Sequence, residues 1–378
     1  MRFIVIIFCL NASLGVAQIG SKIDTSKRPS QLMQFMFRAE ADNQYKNAQN
    51  ELVPVRQRLR MRARYGLAYQ VFQELKMGVQ FRTGYANNPQ DPQITLGSNP
   101  NLQGSIPVRI ERLYAVIKKR RSQIVFGKNY YPFKKYHEMY WSDWINPTGI
   151  SYKQEIMDVM EFRALFSVIQ SNGLSFDQDA IFFGIQLPFE FEDAETKLKI
   201  EHNQTLHYFN NIPILPLELG SGTYSPLFYY PSVKLIQPTR GGEFYVLGEA
   251  FLELKRLSVM DSLLAQADDE RTGGMLKVGY EHDTKRSHYE MSLNYTYMPR
   301  FAAIDYFAQN DWARWSYSGQ GSPKANLTNI QGVELVFKYH INEKTNILFK
   351  YFNASRITKT GPNRESNDRF RIDFNVKI

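Results

Sequence analysis

The sequence predicts an all-β fold, a transmembrane antiparallel up-and-down β-barrel of about 16 strands with short turns at one end and long loops at the other. Three observations lead there. Polar and apolar residues alternate by twos through most of the chain, the period of a two-faced strand. The composition joins 43% hydrophobic residues to 14% aromatics, with 23 Tyr and 26 Phe. That is too polar for a bundle of membrane helices, yet rich in the rings that gather at membrane interfaces. After the first residues, no uncharged apolar run reaches the ~20 residues of a spanning helix, so any crossing falls to closed strands.

The chain opens MRFIVIIFCLNASLGVAQ, with one basic residue, Arg2, an apolar run over 3–10, and small residues ending at Ala17. This reads as a secretory signal peptide, residues 1–17. The only cysteine, Cys9, lies inside it, so the exported chain is expected to carry no disulfide, thiol nucleophile or cysteine metal site. Residues 18–30 are polar and aperiodic, expected to form a short periplasmic segment, and 31–378 a single barrel.

Strands are expected at 31–45, 55–70, 73–85, 106–119, 123–131, 148–157, 160–170, 179–190, 194–208, 228–237, 243–256, 273–283, 287–298, 330–341, 345–356 and 368–378. After each even strand the connection is short, as periplasmic turns should be. Most of the others are long, as in NNPQDPQITLGSNPNLQGS and PFKKYHEMYWSDWINP. The second strand carries Arg56, Arg58, Arg60, Arg62 and Arg64 on alternate positions, with Leu59, Met61, Ala63 and Tyr65 between them. On a helix those arginines would point around the cylinder, whereas on a strand they share one face. The last strand, DRFRIDFNVKI, sets Phe370, Ile372, Phe374 and Val376 against Arg369, Arg371, Asp373 and Asn375. Residues 113–117 are apolar on both faces, so a loop packs inside there or the register slips. SVMDSLLAQADDE, 258–270, breaks the strand period and reads as a short helix in an outer loop, with a plug or gate as the lesser alternative.

Three patterns in order give the chain a family likeness. They are RQRLRMRARYGL; then MGVQFRTGYANNPQDPQITLGSN, a strand ending in a Gly/Asn/Pro loop; then IVFGKNYYPF followed by MYWSDWINPTGIS. In these the sequence resembles the putative porin family of Bacteroidota, with the best match over 53–151. The resemblance implies an outer-membrane barrel passing small hydrophilic solutes without a cofactor. It also implies contact with membrane lipid and lipopolysaccharide, and insertion by the barrel assembly machinery through strand 368–378. The terminal Ile378 departs from the aromatic that commonly ends such barrels. A homo-oligomer is compatible with this reading.

In a barrel, a lipid-facing arginine near the midplane costs roughly 2 to 4 kcal/mol, so the arginine row is expected to line the lumen. Lys76 and Arg82 share its parity on the next strand, opposite Leu75, Met77, Val79 and Phe81. Together they could form a positive wall that favours anions, in keeping with the net charge of +9. Alternatively they pair with carboxylates such as Glu40, Glu111 or Glu290 and simply stiffen the wall. Nucleic acid is not an expected partner of an exported chain, despite the basic run. The histidines, His137, His202, His207, His282, His288 and His340, form no helical zinc pair, and no G-x-S-x-G elbow occurs, so no enzymatic activity is expected. The aromatics of YYPFKKYHEMYWSDW are expected in the interfacial girdle rather than in a carbohydrate-stacking surface. The functional alternative to a pore is a docking barrel with a plugged lumen that binds a partner at the cell surface.

Overall fold

The computed structural model describes residues 29–46, 55–85, 90–97, 106–171, 179–213, 223–255, 270–284, 287–313, 315, 327–359 and 363–378. The expected signal peptide, and all but Glu270 of the expected helix at 258–270, lie outside the described residues.

Sixteen long strands close into one antiparallel barrel. They are β1 Ser30–Lys46, β2 Arg56–Gln70, β3 Leu75–Thr83, β4 Val108–Lys119, β5 Ser122–Lys128, β6 Thr148–Met157, β7 Met160–Gln170, β8 Ala180–Glu192, β9 Lys199–Asn210, β10 Leu227–Thr239, β11 Gly242–Glu253, β12 Thr272–Asp283, β13 His288–Met298, β14 Ile330–Asn342, β15 Thr345–Arg356 and β16 Ser366–Lys377. Each pairs with its chain neighbours, and β1 closes the ring against β16, with Gln34 opposite Lys377 and Asp42 opposite Arg369. Closure leaves no sheet edge and pairs the backbone groups, the requirement for crossing lipid with strands. No helix among the described residues is long and apolar enough to cross a membrane.

The two faces obey the alternation. On β2, Leu59 is 61% exposed on the outer surface while Arg60 is 7% exposed inside. Outward side chains are Phe, Leu, Ile, Met and Tyr almost throughout, such as Phe37, Met77, Leu293, Leu335 and Ile372. Short turns join β2 to β3 and every later even strand to its successor, so both chain ends of the barrel sit at the turn end.

Three details differ from expectation. Strand β9 starts at Lys199, not 194, because Asp193 builds a turn, accepting from the backbone N and hydroxyl of Thr196 while Leu198 receives the Asp193 N–H. The double-apolar stretch at 113–117 follows a β-bulge: Gln80 pairs with Arg112 and Phe81 with Ile110, so Glu111 is the extra residue. Glu111 and Arg112 then both turn inward, at 0% and 9% exposure. Finally, β3 stops at Thr83, where Gly84 adopts a φ of +122° that suits glycine. Residues 90–93 lie buried inside the barrel, and Ile94–Thr95 pairs with Met61 and Arg60 and continues the wall.

The core lies inside the barrel. Residues 129–147, after β5, and residues following β13 fold inward from the long-loop end and pack on β8–β11 through Trp141, Phe182, Phe209, Phe228, Phe251 and Phe307.

Candidate functional site

The inner surface has two unlike sides. On β16, β1, β2 and β3 it is built of arginines and carboxylates in cross-strand register. Glu40 stands opposite Arg58 and Arg371, and Asp42 opposite Arg56 and Arg369. Such direct neighbours on one face lie close enough to pair. Arg38 makes a forked contact with Asp373, at 2.7 and 2.9 Å. Arg56 donates to Asp42 at 3.1 and 3.3 Å, and Arg58 donates to Glu40. Arg60 donates to both oxygens of Asp91, at 2.6 and 2.5 Å, and to the Gln93 carbonyl at 3.2 Å. Asp91 comes from the buried stretch 90–93 before Ile94–Thr95 rejoins the wall. Arg64 and Arg82 share Glu111, at 2.5 and 3.3 Å. Arg369 holds the second oxygen of Asp42, and Arg371 clasps Asp311 at 2.8 Å.

Of the residues singled out in the sequence, Arg56, Arg58, Arg60 and Arg64 thus meet carboxylates on the barrel's inner face, as does Arg82. Arg62, 9% exposed, does not: among the described residues its guanidinium lies 4.6 Å from the Trp144 ring, with Arg64 at 4.9 Å from the same ring. Lys76 shares the inward parity but sits at the turn end, opposite Gln70, away from this cluster. Of the acids weighed as partners, Glu40 and Glu111 take up arginines, while Glu290 accepts from Tyr245 and lies 3.9 Å from Lys338. Arg369 and Arg371, set on the polar face of the last strand by the sequence but not assigned to the lining, join this cluster, as does Arg38, which the sequence reading passed over and which carries the same period-two signal. That reading also passed over Asp91 and Asp311, which reach the site only because their loops fold inward.

The opposite side is aromatic. The cluster YYPFKKYHEMYWSDW is not an interfacial girdle: it enters the lumen, because its rings find inward aromatics on β8–β11 and bury more area there than at the rim. Tyr131 stacks on Trp141 at 4.6 Å, Trp141 on Phe307 at 4.7 Å, and Tyr140 on Tyr230 at 4.2 Å. Phe133 lies over Gly184, where a Cβ would come within 2.5 Å of its ring. Polar anchors fix the segment to the wall. The Gln186 amide receives the Lys134 N–H and donates to the Lys134 carbonyl, both at 2.7 Å. Tyr136 donates to Glu201 at 2.7 Å, Arg163 donates to the Pro132 carbonyl at 2.7 Å, and His137 contacts Glu249. The second inward segment clasps the first, with Ser142 N–H donating to Phe307 O at 2.7 Å and Gln309 N–H to Met139 O at 3.1 Å. Asp305 organises that segment by accepting the N–H groups of Leu327 and Thr328 at 2.7 and 2.8 Å. Burial nevertheless pushes its carboxyl up to about 6.

Between the folded-in segments and β12–β15 lies a cavity of about 300 Å³ lined by charges of both signs, among them Lys135, Glu138, Asp143, Lys277, Asp311 and Lys350. Burial beside Asp143 and Asp311 pushes Glu138 up to about 8. Burial acts the same way on Asp311, but Arg371 and Lys350 overcome it and hold that carboxyl well below the usual range. The site is therefore a narrowed, strongly polar lumen. Among the described residues, no group of three or more His, Cys, Asp or Glu is placed to hold a metal ion.

A family model described as putative porin matches residues 25–213. The fold is similar to that of OprB from Pseudomonas putida, solved at high pH, with a TM-score of 0.60 and 9% identity over 93% of this chain and 95% of that one. It is also similar to Salmonella typhi OmpF in complex with daunomycin, with a TM-score of 0.53 and 10% identity over 93% and 97%. A loop L8 deletion mutant of OmpT, an outer membrane protein of Vibrio cholerae, gives a TM-score of 0.51 and 10% identity over 93% and 100%. At such identities the likeness is one of fold. No curated protein sequence matches the chain. With half its length matched by the family model and the whole barrel built to the same plan, the chain belongs to the putative porin family and is a β-barrel protein of the outer membrane.

Proposed function

We propose that the protein is a passive diffusion channel for small hydrophilic solutes with a mild preference for anions, the lumen being narrowed by residues 129–147. The observation that carries this is the charged inner face set in a closed barrel. A hydrated, charge-lined passage lowers the barrier for polar solutes, and the sign of its surplus charge sets their order. That surplus is local. Glu111 answers both Arg64 and Arg82, and Arg62 and Arg109 lie within electrostatic reach of it. Most other arginines have their own carboxylates, so the preference is weaker than the bare arginine row suggests. Arg56, Arg58, Arg60, Arg62, Arg64 and Arg82, with Lys76 toward the turn end, are the residues we assign to the pore lining. The same proposal includes export through residues 1–17 and barrel assembly signalled by 368–378.

Proteoliposome swelling tests this. Uptake should fall steeply from pentose to disaccharide, and glucuronate should enter faster than glucosamine. Absence of swelling with every solute would overturn the channel, and faster glucosamine entry would overturn the anion preference. The inward aromatic packing also speaks for a plugged barrel that docks a partner, and the same absence of swelling would favour it.

A further inference from the structure

Near Glu111 the charged side meets the aromatic segment. A cavity of about 260 Å³ lies there, lined by Arg64, Tyr130, Tyr131, Lys135, Asp143, Trp144 and Ile145. Its cations are unequally committed. Lys135 is paired with Asp143, and Arg64 with Glu111 at 2.5 Å. Arg62, next to the lining on the same strand face, has no carboxylate at ion-pair distance among the described residues, and the buried Nε–H groups of both Arg62 and Arg64 find no acceptor there. Both guanidinium groups instead lie over Trp144. A second aromatic–guanidinium pair borders the cavity, with Arg112 at 3.6 Å from the Tyr130 ring.

A guanidinium held at 9% exposure with no ion-pair partner, only the longer-range attraction of Glu111 and Asp373, is costly to keep. The missing element is an anion with acceptor oxygens, for which a guanidinium fork is the matching donor. The remaining walls are aromatic and apolar, Tyr130, Tyr131, Trp144 and Ile145, suited to a flat apolar body rather than to a free hydrated ion. The volume is at the small end for ligand pockets and fits a single ring rather than a large drug-sized molecule.

We propose that this cavity is a solute subsite for small aromatic carboxylates, the carboxylate meeting Arg64, with Arg62 adding its charge from beside Trp144, and the ring packing among Trp144, Tyr130 and Tyr131. The proposal rests on the diffusion-channel reading, since it names the solute class that would dwell in that channel. No bond is made or broken; the solute binds, dwells and leaves.

Sodium benzoate is the probe, with sodium acetate as the charge without the ring and benzyl alcohol as the ring without the charge. Chloride current through the full-length protein in a planar bilayer is measured as each is added, normalised to each variant's own current. Benzoate should reach half-block at a concentration roughly five- to ten-fold below acetate, the scale of one aromatic contact. Benzyl alcohol should block least. Trp144→Ala should bring the benzoate-to-acetate ratio close to one, and Arg62→Gln should raise the half-blocking concentration of both acids. Equal block by benzoate and acetate, or an unchanged ratio in Trp144→Ala, overturns the subsite. If no chloride current is found, the channel reading itself fails, and tryptophan fluorescence of the detergent-solubilised barrel decides the subsite separately. Saturable quenching by benzoate, lost in Trp144→Phe, supports it, whereas equal response to acetate overturns it.

Discussion

The arginine side and the aromatic side of this lumen solve one problem in opposite ways. Both must fill or bound the inside of a barrel whose outer face is fixed by lipid. On β16, β1, β2 and β3 the inward positions are charged, and stability comes from complementary register: β1 places Glu40 and Asp42 between the arginines of two neighbouring strands. On β8–β11 the inward positions are Phe182, Phe209, Phe228, Tyr230 and Phe251, and a loop is drawn in to cover them. The difference teaches that an inward-facing residue is not thereby a pore-lining one. The charged side needs water or counter-charges beside it, whereas the aromatic side needs other rings and closes the space.

The largest effect should come from removing the cover. Replacing 134–143 by a short Gly/Ser link should raise single-channel conductance several-fold, because the cavity beside β12–β15 loses one wall; an unchanged conductance would mean the segment does not narrow the path. Next, Trp141→Ala removes a ring that is 2% exposed and stacked on both Tyr131 and Phe307. Its cost should be about 3–5 kcal/mol in reversible unfolding, with noisier current as the segment loosens. On the charged side, Glu111→Gln leaves Arg64 and Arg82 without their shared carboxylate. It should cost about 1–3 kcal/mol and shift the reversal potential further toward chloride. No shift would show that these charges lie off the path.

A pH effect follows from the cavity beside β12–β15. Glu138 is pushed by burial up to about 8 from an ordinary 4.5, so it stays neutral in the folded protein where the unfolded chain has already lost its proton. Folded protein binds more protons in that window, so stability should fall as pH rises from about 4.5 to 8. The same ionisation adds a negative charge among Asp143, Asp311, Lys135 and Lys350, so chloride preference should weaken between pH 6 and pH 9. Glu138→Gln should flatten that change; a slope that persists assigns it elsewhere. The smallest effect belongs outside the lumen. Arg121 and Asp158 form an ion pair on the short turns, 3.1 Å apart with side chains 57% and 90% exposed, and Arg121→Ala should change stability by less than about 1 kcal/mol with conductance unaltered.

How far the sequence revealed this follows the same division. The charged side was readable because period-two arginines have no comfortable place on lipid, and β16 and β1 repeat the signal with acids in register. The closed barrel, the strand order and the short turns followed from the same alternation. The aromatic side was not readable. Phe182 on β8 and Phe183 beside it are both apolar, and only the arrival of Trp141 distinguishes the inward ring from the outward one. The Glu111 bulge left one legible trace, the run apolar on both faces at 113–117, since one extra residue exchanges the faces of everything after it, but not its position. Asp91, Asp311 and Trp144 reach the arginines through loops, and nothing local in a loop states how deeply it folds in.

In the proposed channel a conducting path runs along the charged side, with its arginines largely but not wholly neutralised. The reversal potential of the single channel in a tenfold KCl gradient tests it most directly. The channel should be open and reverse modestly on the chloride side, well short of ideal anion selectivity. No conductance, or a reversal potential on the potassium side, would contradict it.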